Sequence, residues 1–136
     1  MRFDTKIAIA VRGDLAQWQK LNVTAFLASG IAAGIPETTG KPYEDGSGTR
    51  YLEMFRQPVL VYAADGALLA AVRERAVGRG LATAVYTEDL FATDNDDDNR
   101  AAVGAVAAGD LNLVGVAVHG PRNVVAKVVK GATLHP

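Results

Sequence analysis

Asp14–Gly34, DLAQWQKLNVTAFLASGIAAG, decides how the rest of the chain is read. Asp14 has the side chain of an N-cap, and Gln17 three residues later completes a capping-box pattern. A helix is expected from about Leu15 to Ala33, with Gly34 at its C′ position and Pro36 blocking continuation. At about 100° per residue, Leu21, Ala25, Ala28 and Ala32 share one face, and Val23, Leu27 and Ile31 lie roughly opposite. The first face is expected on a sheet. The second asks for another cover: a loop, another helix or a second subunit. Directly upstream, Lys6–Val11 (KIAIAV) is a continuous apolar run, as expected for a strand buried on both faces.

The same alternation continues downstream. Pro58–Ala64 (PVLVYAA) reads as a strand, with Pro58 acceptable at its start. Asp65 caps a second helix from Gly66 to about Arg79, closed by Gly80, with Leu68, Leu69, Val72 and Ala76 on its apolar stripe. Leu81–Thr87 is a third strand and Thr87–Thr93 the polar loop that follows it. Asp94–Asn99 (DNDDDN) leads into a third helix, its acids suited to the helix dipole. The run begins like a calcium loop but has Asn99 where a glycine belongs and Ala105 where a carboxylate belongs, so no metal site is expected. Leu111–His119 is a fourth strand, broken by Gly120-Pro121. RNVVAKVVKG repeats valines at helical spacing and reads as a short helix ended by Gly131, before a last short strand at Ala132–His135. The order predicts a three-layer α/β sandwich with a mixed, mainly parallel sheet of four to five strands, all within one domain.

One stretch departs from this rhythm. Residues 35–57 are rich in Gly, Pro, Thr and charge, too long for a routine connection. Tyr51–Phe55 is read as a short helical turn. The segment is either a surface excursion packing Tyr43, Tyr51, Met54 and Phe55 over the long helix, or a lid over a ligand.

Composition narrows the function. Fourteen Lys and Arg against 15 Asp and Glu give a net charge of -1, which argues against tRNA or another nucleic acid as partner. The absence of Cys removes thiolate chemistry and Cys-based metal sites. No apolar run approaches the roughly 20 residues of a membrane span. The early IAIAV run, interrupted by Arg12 and Asp14, reads as a strand and not a signal segment, so a cytoplasmic protein is expected.

Several stretches resemble archaeal- and eukaryotic-type (type 2) peptidyl-tRNA hydrolases. These are AVRGDL with Lys20 at the head of a small-residue helix, Gln57-Pro58 before VLVYA, LATAVY, and GVAVHGPRNVVAKVVKGATL near the C-terminus. More narrowly, WQKLNVTAFLASGI and the Tyr-Glu-Asp-Gly loop look like a bacterial family of uncharacterised proteins with that fold. The resemblance implies the hydrolase-type sandwich. It carries the activity less well. Where those hydrolases have Gly-Lys-Gly-Lys, this chain has Trp18-Gln19-Lys20-Leu21-Asn22. Where they have Asp-Ala-Gly-x-Thr-Gln, it has Glu88-Asp89-Leu90-Phe91-Ala92-Thr93-Asp94, lacking the Gly and Gln.

Open parallel sheets bind ligands beyond the carboxyl ends of their strands. That edge gathers Arg12, Asp14, Asp65, Thr87, Glu88 and Asp89, and the helix start adds Trp18, Lys20 and Asn22. Lys20, Glu88, Asp89 and Thr93 are the candidate catalytic groups, since a Lys beside a carboxylate can orient water or hold an anion. Arg12, Asp14, Trp18, Asn22 and Thr87 are the candidate ligand contacts. Each has an ordinary explanation too: Asp14 as a cap, Lys20 as a solvated helix residue, Trp18 as core cover. The polar pair Asn22 and Ser29, seven apart on an apolar helix, either bonds within the core or faces a polar pocket. No cofactor motif is present. Three functions follow: a small-ligand binder or enzyme near Lys20 and residues 87–94, a hydrolase of peptidyl-tRNA or a related acyl ester, or a homodimeric interaction module.

Overall fold

A computed structural model describes residues 2–136. Among them run β1 (Thr5–Arg12), α1 (Gln17–Gly34), β2 (Tyr43–Glu44), β3 (Arg50–Tyr51), β4 (Val59–Ala64), α2 (Gly66–Gly78), β5 (Ala82–Thr87), α3 (Asp96–Gly104), β6 (Leu113–Pro121), α4 (Arg122–Val128) and β7 (Thr133–Leu134). The main sheet has five strands in the order β5-β6-β1-β4-β7, and β2 and β3 form a separate hairpin.

The sheet is mixed, but it is not mainly parallel. Only β1 and β4 pair in parallel; β6 runs antiparallel to both β1 and β5, and β7 runs antiparallel to β4. The cause is the connection after β5. It leaves and returns at one edge of the sheet, where the Glu88 N–H donates to the Asn112 carbonyl at 2.9 Å. A strand entered from the edge at which its neighbour ended must run the other way. β6 also continues past His119: Gly120 and Pro121 still pair with Lys6 and Thr5.

Strand alternation sorts the core into two layers. Ile7, Ile9 and Val11 join Val23, Leu27 and Ile31 of α1 on one side; Ala8 and Ala10 join Leu69, Val72 and Ala76 of α2 and Val125 and Val128 of α4 on the other. The face of α1 that meets the sheet is therefore Val23, Leu27 and Ile31, the reverse of the expectation. These β-branched and long side chains fill the space above the strands, and each contributes about 1.5–3 kcal/mol on full burial. Leu21, itself 66% exposed, and Ala25 look outward, while Ala28 is partly buried against the core.

Both ends of α1 also differ from expectation. Its N-cap is Ala16, whose N–H donates to the Gln19 side chain at 3.0 Å. Asp14 is no cap, because its carboxylate turns back to the Arg12 guanidinium at 2.6 Å. Gly34 is the last helical residue and not a left-handed C′ residue, and Ile35 ends the helix. The other caps fall where the sequence puts them. Asp65 accepts from the Leu68 N–H at 2.8 Å, and Gly80 and Gly131 follow α2 and α4 with φ of 70° and 101°.

Residues 43–51 form a hairpin, and Tyr51–Phe55, expected as a helical turn, is not helical: Tyr51 ends β3 and Phe55 bridges Thr39. Asp45 organises the hairpin by accepting from the N–H groups of Ser47 and Thr49 and from the Tyr51 hydroxyl, at 2.9, 3.0 and 2.8 Å. These bonds hold the Asp45 carboxyl below its ordinary pKa, the Tyr51 bond most of all. Of the four apolar residues expected over α1, only Phe55 joins the core; Tyr43, Tyr51 and Met54 stay about half exposed.

Candidate functional site

Trp18, Asn22 and Phe26 recur at i, i+4 and i+8, so they form one stripe along α1, beside the stripe that meets the sheet. β5 ends under this stripe and delivers Tyr86, which is 4% exposed. A 3-10 turn at Glu88–Ala92 follows and brings in Leu90 and Phe91. The chain then crosses Thr93–Asp94 to α3, whose N-cap Asn95 accepts from the Asp98 N–H at 2.8 Å. Between stripe, strand end and turn lies a cavity of about 400 Å³. Trp18, Asn22, Phe26, Tyr86, Phe91 and Thr93 line it, and Asp94, Asp96 and Asn99 form its polar side.

The walls are ordered by their own contacts. Trp18 meets Phe91 edge to face at 5.9 Å between ring centroids, Phe91 meets Tyr86 at 5.3 Å, and Tyr86 meets Phe26 at 5.6 Å. Asn22 Nδ2 donates to the Tyr86 hydroxyl at 3.3 Å. Burial pushes the Tyr86 phenol above its ordinary pKa, and the Asn22 bond offsets part of that rise. Thr93 is in hydrogen-bond contact with the Leu90 carbonyl at 3.0 Å and with the Asn99 side chain. Of the polar pair on α1, Asn22 faces the cavity, whereas Ser29 is exposed and donates to the Phe26 carbonyl.

The other candidate residues lie elsewhere. Arg12, Asp14 and Glu88 gather at the carboxyl ends of the strands. Asn112 completes the group by donating to Glu88 at 2.5 Å, while Arg12 reaches Asn112 at 3.5 Å and Glu88 at 3.8 Å. Arg12, Asp14 and Asp65 line a hollow there. Asp89 is exposed at the start of the 3-10 turn. Lys20 points to another side of α1, where it lines a hollow with Leu21, Thr24 and His135. The structure therefore joins Trp18, Asn22 and Thr93 in one cavity, joins Arg12, Asp14 and Glu88 in one network, and leaves Lys20 apart from both. In the acidic run, Arg100 pairs with Asp96 and Asp97.

Thr87 is 1% exposed, and its hydroxyl has no partner among the described residues. A buried hydroxyl without a partner costs about 1–3 kcal/mol. Thr87→Val keeps the shape and removes that cost, so chemical denaturation is expected to show a gain of about 1 kcal/mol. A loss of stability would mean that the hydroxyl is bonded in solution.

Sequence reasoning missed Phe26, Tyr86, Phe91, Asn99 and Asn112. The 18-22-26 spacing carried the signal for the first: a polar residue between two aromatics on one helical stripe. Tyr86 and Phe91 looked like ordinary strand and loop residues until the 3-10 turn brought them together.

A family model described as "Protein of unknown function (DUF2000)" matches residues 5–136. No curated protein matches the sequence. A solved structure of a protein of unknown function from Agrobacterium tumefaciens strain C58 is similar to it, with 44% identity and a TM-score of 0.95. The match covers 99% of this chain and 100% of that one. Among the described residues no helix is long and apolar enough to cross a membrane.

Proposed function

Because this chain belongs to the DUF2000 family of proteins of unknown function, we propose its role from the site itself: it binds a small molecule between α1 and residues 86–99. One observation carries this: the cavity of about 400 Å³ combines four aromatic side chains with Asn22, Thr93 and Asn99. Small-molecule sites have this size and combine apolar walls with convergent polar groups, and here rings and polar groups share the lining about equally. Asn22 adds a fixed point. Its amide nitrogen is held by Tyr86, and its carbonyl oxygen has no protein partner among the described residues and can accept from a ligand.

A peptidyl-tRNA or related acyl-ester hydrolase, which the resemblance implies, would need its lysine, acid and hydroxyl at one carbonyl. Lys20 and Thr93 line separate cavities here, so the geometry favours binding over that chemistry.

A fragment library screened by protein-observed NMR is expected to yield ligands that shift the Trp18 indole and the Asn22 side-chain amide. Asn22→Leu should weaken them about 10-fold, the equivalent of one lost hydrogen bond in a desolvated site. Hits that move only resonances around Lys20 and His135, or around the 43–54 hairpin, would overturn the assignment.

A further inference from the structure

Resting on that cavity being a ligand site, we propose that it selects an organic cation: a small molecule carrying a quaternary ammonium or protonated amine group. The walls come first. Along the row Trp18, Phe91, Tyr86, Phe26, each ring plane is turned from the next by 67°, 51° and 67°. Rings turned this way form a folded screen and not a stack, and all four line the same cavity. Aromatic rings carry the negative part of their quadrupole on their faces, so a void walled by four rings set at these angles is suited to a cation.

Charge is the second argument, independent of the first. The lining contains Asp94 and Asp96 and no Lys or Arg. Arg100, one turn past Asp96 on α3, is engaged by Asp96 and Asp97. Asp94 is exposed at the rim and is bonded only to the Asn95 amide among the described residues, at 2.9 Å. The N-terminal dipole of α3 would draw an anion, but Asp96, Asp97 and Asp98 occupy its first turn and cancel that pull. An anionic ligand would meet carboxylates on this side with no free cation to receive it.

Exposure is the third. Trp18 is 62% exposed and Phe26 49% exposed. Neither contributes its full area to the core, although both sit on a helix whose adjacent stripe is completely buried. Large aromatics left open around a void are suited to closing on a ligand.

Trp18 is the sole tryptophan, so emission excited at the red edge, where tyrosine does not absorb, reports on this wall alone. The test titrates the full chain with choline and with 3,3-dimethylbutan-1-ol, which has the same shape without the charge. Choline is expected to change Trp18 emission and to bind about 10-fold more tightly than the alcohol. Phe91→Leu, which keeps apolar volume but removes a ring, should reduce choline binding several-fold and leave the alcohol within two-fold, roughly the loss of one cation–π contact. Thermal melts confirm that the variant is folded, and Asp94→Asn at the exposed rim provides a second variant that does not touch the core. Equal or tighter binding of the alcohol overturns the cation inference while the ligand site stands. No response to choline, with neutral fragments still shifting the Trp18 indole, has the same meaning. Silence of the indole to choline, alcohol and every fragment overturns both.

Discussion

Leu27→Ala is expected to be among the most damaging single substitutions in this protein, costing about 2–5 kcal/mol. Leu27 is 2% exposed and lies midway along the stripe that seats α1 on β1 and β6. It shares a core cluster with Ile9 and Val11 of β1 and lies over Gly115 of β6, and both strands are paired on both sides, so the surroundings have little freedom to collapse into the space. The loss therefore includes both the transfer free energy of the missing carbons and the cavity they leave. A fall in Tm of roughly 10 °C follows for a chain of this length. The same substitution at Leu21, one and a half turns away, should change stability by less than about 0.5 kcal/mol, because Leu21 faces outward. Comparing the two by denaturant titration tests which face of α1 is seated. Similar losses at both positions would show that a partner covers the outer face in solution.

Gly115→Ala is expected to cost about 1–3 kcal/mol by overpacking. Gly115 lies where α1 crosses β6 most closely. A Cβ there would stand 2.5 Å from Val23 Cγ1, 2.8 Å from Leu27 Cδ1 and 3.4 Å from the Ala10 carbonyl oxygen. The two side chains in the way are fully packed, so the helix itself must lift or both must leave their rotamers. Gly115 also pairs with Tyr86 in the sheet, next to the register shift between Tyr86 and Thr87. Lifting α1 here moves the Trp18–Asn22–Phe26 stripe away from Tyr86 and stretches the 3.3 Å bond between Asn22 and the phenol. Stability and ligand affinity should fall together in this variant. In the double variant with Leu27→Ala, the 2.8 Å contact disappears and Val23 gains space to shift away from the methyl, so the combined cost is expected to be smaller than the sum by about 0.5–3 kcal/mol. Strict additivity would mean that the two positions do not share this contact.

Both effects concern a helix that the sequence identifies at once but orients wrongly. Leu21 with its alanines and Val23 with Leu27 and Ile31 are both apolar stripes, and nothing local ranks one above the other. The sheet ranks them: the close approach at Gly115 leaves a gap that Val23 and Leu27 fill. Asp14 fails as a cap for a related reason. Its propensity is right, but Arg12 emerges from β1 next to it and takes the carboxylate at 2.6 Å. Asp65 has no such competitor and caps as expected. The candidate site was half legible. Trp18, Asn22 and Thr93 were named from sequence and share the cavity, whereas Lys20, two residues from Trp18, falls on another side of the helix. Adjacent positions on a helix are separated by about 100°, so a cluster in sequence is dispersed in space.

The sequence by itself determined the chain order of the main-sheet strands and the helices, and the stops after α2 and α4 at Gly80 and Gly131, because apolar periodicity and capping are properties of a few consecutive residues. Only the tertiary structure decided that β6 enters antiparallel between β5 and β1, and that Val23, Leu27 and Ile31 are the seated stripe. It alone set Tyr86 and Phe91 beside Trp18 and Phe26. Each of these depends on which residues distant in the chain come together. Strand direction follows from where a connection returns, and a helix turns the face that fits the gap left for it.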